Sequence, residues 1–129
     1  MRQKKEPSEE EKLKAKMAVV AASFAYGVKD HHIMRVPRGE ERVAVARQTA
    51  YWLLRKSGMK YETIASVMGK KDHATPIHGY NHIENILQIN LDSGYAGCVR
   101  NAAKHYRSFY KRYEELNRER KVKELENAF

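Results

Sequence analysis

The chain has a single cysteine, Cys98, in 129 residues, so no disulfide can form within it and a reducing cytoplasm is the expected compartment. Its longest apolar run, Met17 to Ala22, is far short of the ~20 residues a membrane-spanning helix needs. That run also follows Lys4, Lys5 and the acidic Glu9-Glu10-Glu11, which is not the layout of a signal peptide, so no membrane partner is expected. Acids are few beside bases: 16 Asp and Glu against 25 Lys and Arg, a net charge of +9. The excess is spread, at +2 over residues 1–30, +4 over 31–91 and +3 over 92–129, and suits a polyanionic partner. There is no phosphate-binding glycine loop, no nucleophile motif and no paired-carboxylate constellation. Neither enzyme activity nor a cofactor is expected.

At this length the chain reads as one domain that buries about two-thirds of its unfolded surface. Residues 1–7 read as a disordered basic lead, 8–116 as a single helical domain and 117–129 as a charged helical tail. Ser8 with Glu11 forms a capping box, after which Leu13, Met17, Val20 and Phe24 make an apolar stripe that ends at Gly27. Val28 to Gly39 has no sustained period and reads as a connector. A helix follows from about Glu40 to Lys56, acidic in its first turn and basic in its last, as the macrodipole favours. Its Val43, Ala46, Ala50, Leu53 and Leu54 face inward while Arg42 and Arg55 point out, and Ser57-Gly58 ends it. Asn90 to Gly97 reads as a turn region. Val99, Ala103, Tyr106, Tyr110 and Tyr113 then begin a long final helix whose stripe fades after Leu116, leaving mixed charge through Arg118, Arg120, Lys121 and Lys123 for solvent or a partner.

Two short helical patterns meet between Tyr61 and Leu91. Tyr61, Ile64, Ala65 and Met68 recur at i, i+3, i+4 and i+7, which places apolar side chains on one helix face. Gly69 follows at the usual glycine position past a helix end. Ile77, Tyr80, Ile83 and Leu87 form a second stripe, with His78, Asn81, His82, Asn85 and Gln88 off it. Two short helices, a glycine turn and lysines ahead of the second helix fit a helix-turn-helix that lays its second helix in a DNA major groove. Periodicity alone fits any pair of packed helices equally well.

The string Gly69-Lys70-Lys71-Asp72-His73-Ala74-Thr75-Pro76-Ile77-His78 resembles the signature of the DNA-binding C-terminal domain of the bacterial replication initiator DnaA, which reads approximately Gly-Gly-Arg-Asp-His-Ser/Thr-Thr-Val-Leu/Ile-His. Upstream, Ala46 to Arg55, beginning Ala46-Arg47-Gln48, is similar to the family's Ala/Pro-Arg-Gln-hydrophobic helix, and Ile64-Ala65 stands where the family has Ile-Gly. The resemblance covers about Met17 to Leu87. It implies an all-α helix-turn-helix bundle, TrpR-like, here with an extended C-terminal helix. It also implies a double-stranded DNA partner at a DnaA-box-like site, in replication initiation control or transcription. The family's ATPase module is absent from this sequence, so action by site occupancy is expected. A replication protein bound through the Tyr-rich C-terminal helix, with the chain as an adaptor, is one alternative. RNA binding is another, since a basic helical surface attracts either polyanion.

The resemblance implies base contacts by Asp72, His73, Ala74 and Thr75 at the start of the second helix. A carboxylate can accept from cytosine N4 and a methyl group can touch thymine; Asp72 is also, by residue type, a helix N-cap. Lys70 and Lys71 precede a helix N-terminus, where charge and unpaired N–H groups attract phosphate. Lys71 replaces the family's usual Arg, giving a point charge for a bidentate fork. Arg47 and Gln48, by family match, and Arg55 and Lys60, by charge, are further candidates for phosphate contact. Arg35 and Arg38 stand in the connector for the family's minor-groove loop, with Glu40 and Glu41 replacing basic or small residues. Pro76 departs from the family's β-branched aliphatic. If Asp72 caps the helix, Pro76 at N4 deletes a hydrogen bond at up to ~3 kcal/mol; if Thr75 caps it, Pro76 falls at the favoured N1, and this second placement is the expected one. It leaves Asp72 to Ala74 as a more extended lead. His78 and His82, at i and i+4, lack a Cys or carboxylate to complete a ligand set, so no metal is expected, and His78 is expected to pack or hydrogen-bond within the fold.

Overall fold

Reciprocal bonds start the first helix: Glu11 N–H donates to Ser8 Oγ at 3.1 Å and Ser8 N–H to Glu11 Oε1 at 2.8 Å, satisfying two donors that the helix itself cannot. Helix α1 (Glu9–Tyr26) ends at Gly27, whose φ of 66° is left-handed. A computed structural model describes residues 6–35, 40–70, 72–89 and 94–128. After α1 come α2 (Asp30–Arg35), α3 (Glu41–Lys56), α4 (Tyr61–Val67), α5 (Ala74–Ile89) and α6 (Tyr95–Ala128), the all-α architecture that periodicity and resemblance predict. None of these helices is long and apolar enough to cross a membrane.

Helix α3 is the hub, in contact with each of the other five. Val43, Ala46, Ala50, Leu53 and Leu54 are buried as their spacing predicts, and Arg42 and Arg55 are exposed. Two polar residues of α3 are buried, Arg47 and Thr49; the Thr49 hydroxyl donates to the Val45 carbonyl at 2.8 Å and lies 2.7 Å from the Tyr26 hydroxyl. Since a hydroxyl has one proton to give, Tyr26 is the donor of that second bond. Burial pushes the Tyr26 phenol up to about 12, so it holds this proton throughout the physiological range.

The stripe expected on α1 is not its buried face. Ala15, Ala18, Val19, Ala21, Ala22 and Tyr26 are buried, whereas Leu13 is 39% and Phe24 63% exposed. α1 is apolar on both sides, and size misleads: its alanines let α3 and α6 approach closely, where longer side chains would hold them apart. Phe24 instead rests on α6, with ring centroids 5.8 Å from His105 and 6.3 Å from Phe109.

The connector read over Val28 to Gly39 contains the short helix α2, which is seated by one completely buried residue, Ile33. A single anchor leaves no period to detect. Residues 36–39 lie outside the described residues, and Arg38 with them. The turn region expected over Asn90 to Gly97 ends sooner, since α6 begins at Tyr95 and includes Gly97. Residues 90–93, the end of the helix-turn-helix stretch, are outside the described set. α6 has 34 residues, about 51 Å at 1.5 Å per residue. Val99, Ala102 and Tyr106 are buried. Beyond Tyr113 only Glu115 and Asn117 are half-buried among the described residues, so the charged end of the helix extends away from the bundle.

α5 crosses α3 at Gly79. A Cβ placed there would lie 2.7 Å from Tyr51 Cδ2 and 3.1 Å from Gln48 Cγ, and the Tyr51 ring is itself 1% exposed. Gly79→Ala sets up to about 1 kcal/mol of helix propensity against the strain of overpacking, about 1–3 kcal/mol. Urea unfolding is expected to show a net loss on the order of 1 kcal/mol; a gain in stability would mean that the two helices are not in contact at this point.

Candidate nucleic-acid interface

The turn is built by backbone bonds that the sequence requires. At the end of α4, Gly69 has φ 69°, its N–H donates to the Ser66 carbonyl at 3.2 Å, and Lys70 N–H donates to the Ala65 carbonyl at 2.7 Å. That pair of bonds is the Schellman motif, which caps free helix carbonyls and reverses the chain. Ile64, Ala65 and Met68 are buried beneath it and Tyr61 is half-buried, as their spacing predicts.

Asp72 then starts α5. Its Oδ1 accepts from Ala74 N–H at 2.9 Å and its carbonyl accepts from Thr75 N–H at 3.3 Å. The helix therefore begins at Ala74, not at Pro76 as a Thr75 cap would have it, and Ala74 belongs to the helix and not to an extended lead. Pro76 falls in the first turn, where N–H groups have no intrahelical partner. The Thr75 N–H gives the Asp72 carbonyl a partner in place of the donor that proline lacks. The Pro76 ring is buried, so it keeps the apolar contact that an aliphatic residue would make.

The structure brings the base-contact candidates together at one end of α5. Asp72, His73 and Thr75 are exposed and Ala74 is half-buried. His73 Nδ1 lies 3.9 Å from Asp72 Oδ1. His78, Asn81, His82 and Asn85 are exposed on the same side of the helix as Thr75. Of the two roles expected for His78, packing or hydrogen bonding, its exposure leaves hydrogen bonding. Asn81 and His82 belong to the polar stripe that lies off the apolar spacing of α5. The opposite side is buried through Pro76, Gly79 and Ile83, with Tyr80 and Leu87 half-buried.

The phosphate candidates divide. Lys60 is exposed ahead of α4 and Lys70 is half-buried in the turn; burial first, and then the Arg47 charge, hold the Lys70 ammonium below its ordinary pKa. Lys71 lies outside the described residues. Arg55 is exposed, but it donates to the Met59 carbonyl at 3.2 Å and lies 4.4 Å from the Tyr61 ring centroid. Arg47 is not the free surface cation that a phosphate contact suggests. It is 8% exposed, with Nε donating to the Ile33 carbonyl at 2.6 Å and Nη2 to the His32 carbonyl at 3.3 Å. These bonds use it to tie α2 to α3. Gln48 is half-buried at the α3–α5 junction, where its Oε1 accepts from His82 Nδ1. Arg35 is exposed at the end of α2.

A second set of residues, not found in the sequence, joins α3 to α5. Trp52 Nε1 donates to Glu84 Oε1 at 2.8 Å, and Lys56 Nζ lies 2.9 Å from the same oxygen. The indole bond first, then the Lys56 bond, hold the Glu84 carboxyl below its usual range, and Glu84 in turn raises Lys56. The two shifts agree that the pair is charged.

Residues 17–83 match the family model described as the bacterial dnaA protein helix-turn-helix, more than half of the 129 residues. The chain belongs to the bacterial DnaA helix-turn-helix family. A comparison with curated protein sequences gives no match. The DnaA helix-turn-helix is a DNA-binding domain. The matched span runs from Met17 in α1 to Ile83 in α5, so it takes in the hub α3, the turn and the exposed start of α5, while α6 lies outside it.

The Asp72 cap is testable apart from any ligand. Asp72→Ala should cost ~1 kcal/mol by thermal melting, with Asp72→Asn close to the parent because it keeps an acceptor. Equal melting of all three would mean that α5 starts elsewhere.

Proposed function

We propose that this domain binds double-stranded DNA sequence-specifically at a DnaA-box-like site, and that it acts by occupying that site in the control of replication initiation or of transcription. The observation that carries the reading is the start of α5, where Asp72, His73 and Thr75 are exposed together on a helix whose other side is buried against α3, within a match to a DNA-binding family. The first turn of such a helix points side chains at base edges in the major groove. Asp72, His73, Ala74 and Thr75 read bases, and His78, Asn81 and His82 extend the reading face. Lys60, Lys70 and Lys71, with Arg55 and Gln48 at the edges, meet phosphates. Arg35 and Arg38 approach the minor groove. Arg47 acts by placing α2, whose last residue is Arg35. Nothing in this scheme requires a cofactor.

A site selected from a random duplex pool provides the test. Log K should fall by roughly 0.9 per neutralised phosphate per decade of salt, and Lys70→Ala or Lys71→Ala should flatten that slope by about one while weakening selected and random duplexes alike. His73→Ala and Asp72→Ala should narrow the preference for the selected site, by about 1–3 kcal/mol per lost base contact. An unchanged preference in both variants would contradict the assignment of these residues. Competitor RNA that displaces the selected duplex better than random DNA does would favour an RNA partner.

A further inference from the structure

Two of the contacts that hold the recognition helix on α3 differ in kind. At Gly79 the backbone meets Tyr51 and Gln48, an apolar seat that resists compression and has no directional bond. At Glu84 the carboxylate takes an indole N–H at 2.8 Å and an ammonium at 2.9 Å, and Lys56 is itself placed over the Trp52 and Tyr80 rings, 5.7 and 5.5 Å from their centroids. Ile83 is completely buried between them, but apolar contacts permit sliding that charge-assisted hydrogen bonds do not. The seat is a fulcrum and the carboxylate a restraint.

From this we infer that Glu84, held by Trp52 and Lys56, is a positioning residue that sets the tilt of α5, so that sequence discrimination at the start of the helix depends on a carboxylate that touches no DNA. The inference rests on the DNA-binding reading above. Gly79 to Glu84 is about 7.5 Å along the axis and Gly79 to Thr75 about 6 Å, at 1.5 Å per residue. A 1 Å swing at Glu84 therefore moves the reading end by about 0.8 Å, more than the ~0.5 Å window of a good hydrogen bond. Base contacts fail on that scale. A lysine ammonium on a flexible stem follows a phosphate through it. Loosening the restraint thus lowers discrimination and leaves general affinity in place. The Gln48–His82 bond lies nearer the fulcrum and restrains the tilt less.

The test compares the full chain with Trp52→Phe, which removes the N–H and keeps an aromatic ring, and Glu84→Gln, which keeps an acceptor and removes the charge. The ratio of Kd on random duplex to Kd on the selected site should fall in both, by about tenfold in Trp52→Phe, the worth of one base contact. Kd on random duplex should stay within about twofold and the salt slope unchanged, since the phosphate contacts are the same. Residual dipolar couplings of the α5 amides, recorded without DNA, should report a turn of α5 against α3 in Trp52→Phe. An unchanged ratio in both single variants, or an unchanged tilt, overturns the positioning role while the DNA reading stands. A parent chain with no preference among duplexes overturns the DNA reading and this role with it.

Discussion

Where α5 crosses α3, the backbone at Gly79 comes so close to the Tyr51 ring that no side chain fits between. That approach makes an unusual demand on a helix interior, since glycine there costs about 1 kcal/mol against alanine. In return it brings α5 against the hub of the bundle, with Pro76 and Ile83 buried on either side of the crossing. The polar residues of α5 then have one direction left, outward. The Schellman turn at Gly69 and the Asp72 cap deliver the chain to that crossing, and the Trp52–Glu84–Lys56 bonds hold the helix beyond it.

Charge is divided between fold and surface on the same helices. Arg47 and Arg55 both give N–H groups to backbone carbonyls, the first from a buried position and the second from the surface. Arg42 likewise donates to the Tyr26 carbonyl. A neutral carbonyl leaves the cationic charge in place but occupies N–H groups, so these arginines have fewer donors to offer a phosphate. An ammonium such as that of Lys70 favours affinity over geometric precision.

Much of this was legible in the residue order. Ser8 and Glu11 announced the first helix, Val43 to Leu54 gave the hub by spacing, and Gly69 and the Asp72-His73 pair marked the turn. The illegible parts share a physical cause, in that they depend on what lies across from a residue. α1 is apolar on two sides, so sequence favoured Leu13 and Phe24 where close packing selected the alanines. α2 has one buried anchor and no period. Arg47 looks like any surface arginine until the Ile33 and His32 carbonyls arrive from another helix. Trp52, Lys56 and Glu84 are far apart in sequence and meet only through the fold. Pro76 suits a first helical position by residue type, yet the Asp72 cap starts α5 before the proline.

The account stands on α5 meeting DNA by its exposed side. The most direct measurement is the change in amide chemical shifts across the chain as a selected duplex is added. The largest changes should fall between Asp72 and Asn85 and at Lys60 and Lys70, with α6 beyond Tyr113 unmoved. Changes confined to α6 or to the Leu13–Phe24 side of α1, with α5 silent, would contradict it.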